Sequence, residues 1–327
     1  MGRGGPRARP RTQESGSRGH RDRRRPVDPQ AGEIKWLGVC ALAVPAGDRF
    51  LSQSKRVTGT IVETTLLSRL RCFLLDMDGT FYLGDRLLAG ALRFIEEATR
   101  HNKDFLFLTN NSSRDRRYYA EKIRRLDLPI PEGKVFTSGE ATALYLRNGH
   151  AGAKLFVVGT PELEREFRRQ GFSLTREDPD VCVLGFDTSL TYDKLWKLCD
   201  WVRAGRPYVA THPDFNCPTR SGFMPDTGAM IAFVKASTGR EPDVVIGKPN
   251  RWIVDCAARK LGLPPESLAM IGDRLYTDIA LGSTAGITTL LVLSGETRRE
   301  DLRDSPFQPS LVFEDLDGVA DWLGGKA

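Results

Sequence analysis

The 327-residue chain has no C-x-x-C pair and no zinc-like spacing among its six cysteines, at 40, 72, 182, 199, 217 and 256. That argues against a structural zinc site or a dithiol centre. Cys72, Cys182, Cys199 and Cys256 sit among apolar residues and are expected to pack as small hydrophobes in a reducing cytoplasm. Long apolar runs are missing too: Trp36 to Ala46 is too short to span a bilayer, and no membrane partner is expected. Self-similarity at solenoid periods is lacking. Large apolar residues are nearly missing before Ile34, so residues 1–60 are expected to form a basic, disordered extension that cannot offset the entropy of ordering.

Charge is unevenly spread. Nine arginines against three acids in residues 1–30 account for the whole net charge of +6. The remainder is formally neutral, and no nucleic-acid partner is expected for the folded part. For the extension three readings stand: an atypical export signal, an arm for RNA or acidic lipid, or a start downstream of residue 1. With no Met between Met1 and Met77, such a start would use a non-Met codon.

What is present, from about residue 70 onward, is alternation of short apolar runs with amphipathic segments, the pattern of a parallel sheet wrapped by helices. Phe73 to Leu75 suits a buried strand and runs into Asp76-Met77-Asp78-Gly79-Thr80. Phe105 to Leu108 ends in Thr109-Asn110-Asn111, Val244 to Ile246 leads to Lys248, and Leu268 to Ile271 ends in Gly272-Asp273 with Asp278 beyond. If these strands are neighbours, all four clusters meet at one sheet edge, where open α/β sheets bind ligands. A second alternating block starts near Lys154, and its Thr211 to Asp226 stretch is expected to be a long loop.

The four clusters suit phosphoryl transfer. A carboxylate approaching a phosphate is repelled by about 4 kcal/mol per pair of unit charges at about 4 Å and an effective dielectric of about 20. Cations must cancel this. Mg2+ prefers oxygen ligands, which Asp76, Asp273 and the main-chain carbonyl of Asp78 can offer, and Lys248 supplies a second positive charge. Thr109, Asn110 and Asn111 can grip the non-bridging oxygens, and Asp78 can protonate the leaving group.

DMDGT, LTNN, GKP and GDRLYTD resemble the four motifs of the haloacid dehalogenase-like phosphatase superfamily. FLLDMDGTFYLGDRLLAGA, TNNSS, ATHPDFNCPT and GDRLYTDI are similar to its type IIA branch of NagD-like, para-nitrophenyl, phosphoglycolate and pyridoxal phosphatases. The resemblance spans roughly residues 70–324. It implies a Rossmann-like parallel sheet core with helices on both faces and an inserted α/β type II cap domain. It also implies Asp76 as nucleophile, Asp78 as general acid and base, Thr109 to Asn111 and Lys248 as phosphate binders, and Asp76, Asp78 and Asp273 as Mg2+ ligands, with Asp278 behind them.

Thirty-three residues separate Asp76 from Thr109, and 139 separate Thr109 from Lys248. The insertion therefore falls in the second gap: residues 61–151 and 239–327 are expected to form the core and residues 152–238 the cap. His212, Asn216, Cys217, Arg220 and Asp226 are the cap's candidates for substrate contact. Cys217 stands where pyridoxal phosphatases resemble one another in carrying a His, and PDTGAM departs from the branch's P-G-x-G wording. Trp196 and Trp201 are expected to pack on the cap sheet or at a homodimer contact through the cap. The function implied is Mg2+-dependent hydrolysis of a small phosphorylated metabolite through a phospho-aspartate. Transfer to a non-water acceptor and an inactive phosphate- or Mg2+-binding protein with an interaction tail are the alternatives.

Overall fold

The computed structural model describes residues 66–219 and 222–326. The expected disordered extension and the candidate Arg220 lie outside the described residues. In chain order come β1 (Cys72–Leu75), the short pair β2 (Tyr82–Leu83) and β3 (Arg86–Leu87), α1 (Ala91–Arg100), β4 (Asp104–Thr109), α2 (Arg116–Arg124), β5 (Val135–Thr137) and α3 (Ser138–Gly149). Next are β6 (Lys154–Val158), α4 (Pro161–Arg169), β7 (Ser173–Leu174), β8 (Val181–Leu184), α5 (Tyr192–Arg203), β9 (Tyr208–Ala210), β10 (Asn216–Thr219), β11 (Gly222–Pro225) and α6 (Thr227–Thr238). The chain closes with β12 (Val244–Val245), α7 (Trp252–Leu261), β13 (Leu268–Gly272), α8 (Ala280–Ala285), β14 (Thr288–Val292), β15 (Leu311–Phe313) and α9 (Leu316–Leu323).

The first sheet has the order β15-β14-β13-β1-β4-β5, with every pair parallel. Its strands alternate between two apolar layers, as a period of two requires. Cys72, Leu74, Leu106 and Leu108 meet α3 and α7, whereas Phe73, Leu75 and Phe107 meet α1, α2 and α9. Helices thus cover both faces of this Rossmann-like sheet. The second sheet, order β12-β9-β8-β6-β7, is also parallel. Phe156, Val158, Cys182 and Leu184 pack beneath α5 and α6 on one face. On the other, Leu155, Val157, Val181 and Val183 join the same apolar cluster as α3 and α7. One continuous core therefore bonds the two layers.

Two local differences from the sequence reading bear on the site. Val244 and Val245 do not resume the first sheet; they pair with Val209 and Ala210 at the edge of the second. Lys248 therefore arrives from the second layer and not from a neighbour of β1. The Thr211 to Asp226 stretch, expected as a loop, folds into the antiparallel hairpin β10–β11, whose base is closed by Asp226 N–H donating to the Phe215 carbonyl at 2.9 Å.

Candidate active site

β1 places Asp76 at the carboxyl edge of the first sheet, its amide still donating to the Ile271 carbonyl of β13 at 2.9 Å. Asp273 follows β13 directly. Its carboxylate is held at both oxygens: Thr80 Oγ1 donates to Oδ1 at 3.1 Å and the Glu296 amide to Oδ2 at 2.8 Å. Gly79, at φ +90°, is required here, because a Cβ would lie 2.4 Å from Asp273 Oδ2. Asp278 sits in a π-helical turn, Leu275–Ile279, a rare geometry often found at functional sites.

Lys248 is buried and its Nζ donates to Asp76 Oδ1 and, at 2.7 Å, to Asp278 Oδ1. Asp278 Oδ2 accepts the Arg274 amide at 3.2 Å. Oxygens of Asp76, Asp273 and Asp278 all lie within 4.8 Å of one another. Lys248 thus pairs with two of three clustered carboxylates, which leaves a surplus of negative charge that a hard divalent cation would relieve. The donor set fits Mg2+.

The same surplus shows in proton affinities. Burial pushes the Asp76 carboxyl up to about 8, with Lys248 opposing and Asp278 and Asp273 adding to the rise. Asp273 is pushed up to about 6 by burial and by Asp278. Lys248 is held well above the ordinary lysine range: burial pulls it down, but Asp278 and Asp76 more than reverse this. The unfolded chain releases its carboxyl protons near pH 4. Between about pH 4 and 8 these two carboxyls in the metal-free folded protein therefore hold more protons than in the unfolded chain, and their contribution to stability should fall as pH rises. Thermal unfolding in chelator should give a lower Tm at about pH 8 than at about pH 5, a smaller slope in Asp76→Asn, and stronger Mg2+ stabilisation at the higher pH. A slope unchanged by Asp76→Asn would contradict the reading.

Asp78 faces the cleft with its side chain 55% exposed. Tyr82, wholly buried, donates its hydroxyl to Asp78 Oδ2 at 3.4 Å, and Lys122 Nζ lies 3.9 Å from Oδ1 and 3.8 Å over the Tyr82 ring. Surrounding protein atoms raise the Asp78 carboxyl, Lys122 and the Tyr82 bond opposing them. A carboxyl raised in this way keeps its proton more readily, which suits an acid.

A cleft of about 700 Å³ connects these groups to the hairpin. Thr109, Asn111 and Lys248 line it from below, and Asn216, Cys217 and Asp226 from the second layer. Asn111 Oδ1 is fixed by the amide and hydroxyl of Ser113 at 2.9 and 2.7 Å, which leaves its NH2 toward Cys217 Sγ at 3.9 Å. Asn110 reaches the cleft, but its side chain is committed elsewhere. Nδ2 donates to the Lys248 carbonyl at 2.9 Å and to both Asp214 oxygens at 3.1 Å, while Oδ1 accepts the Lys248 amide at 2.8 Å. The Asn110 amide is a tie between layers and not a free phosphate donor.

His212 is a correction. It is wholly buried outside the cleft lining, with both ring nitrogens engaged, so it does not reach a substrate. Asp226 caps α6 through the Thr227 amide at 2.6 Å and still borders the cleft. Sequence reasoning missed Lys122 and Arg274 as cleft residues. Lys122 lies on α2 with no motif around it; Arg274 follows Asp273 inside a recognised motif, a signal that could have found it.

Together the parallel sheet and the acid–lysine cluster at its edge are the fold and site of a Rossmann-like hydrolase. The chain belongs to the haloacid dehalogenase-like hydrolases, in their NagD-like type IIA branch: residues 73–173 match the model described as haloacid dehalogenase-like hydrolase, and residues 245–319 one described as HAD-hydrolase-like. It is 34% identical over 251 residues to the 5'-nucleotidase YutF of Bacillus subtilis, covering 77% of this chain and 96% of that one. The crystal structure of a 4-nitrophenylphosphatase from Thermotoga maritima superposes with a TM-score of 0.76 at 47% identity, covering 78% of this chain and 98% of that one. A glycerol phosphate phosphatase from Mycobacterium tuberculosis, solved with calcium, gives 0.72 at 29% identity, covering 78% and 76%. No helix among the described residues is long and apolar enough to cross a membrane.

Proposed function

We propose that this cleft hydrolyses phosphate monoesters of small metabolites with Mg2+, through a phosphorylated Asp76. The observation that carries the reading is Asp76 at the end of β1, flanked by Lys248 and Asp273, with Asp78 on the open side. An Asp76 oxygen attacks phosphorus while Asp78 gives its proton to the departing oxygen. Asp78, now ionised, takes a proton from water, which cleaves the aspartyl-phosphate and restores both carboxyls. Lys248 offsets the charge of the transferring group, and Thr109 and Asn111 orient it. Asp76, Asp273 and the main-chain carbonyl of Asp78 would hold Mg2+, which supplies Lewis-acid polarisation of the phosphoryl oxygens when bound.

The relatives' names differ in the leaving group: a nucleoside, a nitrophenol, a glycerol. The proposal is accordingly made for the phosphate monoester class. The five described cysteines are free thiols, which supports a reducing compartment such as the cytoplasm. Because β12 pairs with β9, we take the cap as residues 152–245 and not 152–238, and propose that a second copy meets it at Tyr192 and Trp196, which are 76% and 60% exposed with rings 6.5 Å apart. Trp196→Asp should shift sedimentation toward monomer; an unchanged profile would place any contact elsewhere. The test of the activity is metal-dependent hydrolysis of para-nitrophenyl phosphate, set beside Asp76→Asn. No turnover that depends on added metal would overturn the proposal.

A further inference from the structure

A buried polar chain between the two layers takes no part in the reaction as described. Thr211 and His212 follow β9, and both are wholly buried. His212 Nδ1 lies 2.9 Å from Thr211 Oγ1, which lies 3.0 Å from Ser112 Oγ. Ser112 Oγ also accepts the Phe186 amide at 2.9 Å. On the ring's other side, Nε2 is 2.9 Å from Asp226 Oδ1 and 3.3 Å from Thr227 Oγ1.

Burial alone would pull the imidazole's proton affinity down, but the charge and hydrogen bond of Asp226, helped by Asp214, raise it above the ordinary histidine value. With both nitrogens protonated the donors run in one consistent direction: Nε2–H to Asp226, and Nδ1–H to Thr211, whose hydroxyl donates to Ser112.

The ends of this chain give it meaning. Ser112 directly follows Asn111 in the loop proposed to grip phosphate, and Asp226 closes the base of the hairpin β10–β11 that overhangs the cleft. On the hairpin's other side, Asp214 is held by Asn110 of the same loop, and its carbonyl accepts the Gly228 amide at 2.8 Å. Two ties from one phosphate loop therefore grip both sides of one hairpin base. A cap residue that only packed would need neither a buried charge nor a polar path to that loop.

We infer that His212 is a positioning residue that locks the β10–β11 hairpin in register with the Thr109–Ser112 loop, and so sets how tightly the leaving group is held. The inference rests on the phosphatase reading of the same cleft. Cutting the tie loosens the wall facing the leaving group but leaves Asp76, Asp78, Lys248 and Asp273 in place. Binding of substrates that reach the hairpin should suffer; the chemical step should not.

The test compares His212→Gln with the unmutated full chain on para-nitrophenyl phosphate, whose leaving group is bulky, and on acetyl phosphate, whose leaving group is small. KM for para-nitrophenyl phosphate should rise about tenfold and that for acetyl phosphate less than about twofold, with both kcat values within about threefold. Equal losses on both substrates, or a lowered Tm with KM unchanged, would overturn the inference. Should His212→Gln not fold, Thr211→Val keeps the side-chain shape and cuts only the link to Ser112; it should show the same split in smaller measure, and unaltered kinetics would count against the tie. An unmutated protein that turns over neither substrate would sink the phosphatase reading and the tie with it. Unsplit kinetics beside an active parent would sink the tie alone.

Discussion

Asp76→Asn is expected to lower kcat on para-nitrophenyl phosphate by about 10⁴-fold or more while the protein stays folded. The amide has nearly the same volume as the carboxyl, so packing at the end of β1 is kept, but its oxygen is not a nucleophile toward phosphorus. Charge accounting points the same way for stability. Asp76 is one of three clustered acids, of which it and Asp278 share Lys248, and its raised proton affinity says that ionisation there is costly without metal. Removing that charge still leaves Lys248 paired with Asp278 at 2.7 Å. The midpoint of thermal unfolding in chelator should therefore hold or rise, while Mg2+ should stabilise the variant less, one ligand being gone. Residual activity above about a tenth of the parent's would exclude Asp76 as the attacking group.

Lys248→Met should do the opposite to stability. Met keeps the length of the side chain and discards its charge, which leaves Asp76 and Asp278 facing each other in a buried setting. Breaking a buried ion pair at one partner costs about 3–5 kcal/mol, because the remaining charge is uncompensated. The loss should shrink as pH falls, since protonating either carboxyl relieves the repulsion. Turnover should fall about 10²–10³-fold with it, the cation opposing the transferring phosphoryl group being lost. Denaturant midpoints at two pH values and steady-state kinetics check both halves. A stability loss that does not depend on pH would mean that the carboxylates are not what Lys248 compensates.

Much of this site could be read in the sequence because its chemistry lies at strand ends, and a strand end is a local signal. Asp76 and Asp78 follow three apolar residues, and Asp273 follows another run; no long-range information is needed to place them at a sheet edge. Partnership is a different matter. Nothing in Val244 and Val245 themselves says whether β1 or β9 is their neighbour, so the sheet that delivers Lys248 is not legible locally. Asn110 looks like a phosphate donor until its partners, 138 and 104 residues away, are seen to occupy it. The hairpin is hard to see in the sequence because its two strands span only four residues each and each carries a proline, Pro218 and Pro225, a residue that strand patterns seldom admit. The chemistry of His212 points to substrate contact, whereas its burial decides its role.

The pairing of β12 with β9 limits how this protein could be rebuilt or could have diverged. A chimaera made by exchanging residues 152–238 for the matching piece of a relative would replace β9 and leave β12 behind, so the edge strand that leads to Lys248 would pair with a foreign neighbour. The second sheet is therefore not a detachable module, and a workable junction lies beyond Lys248.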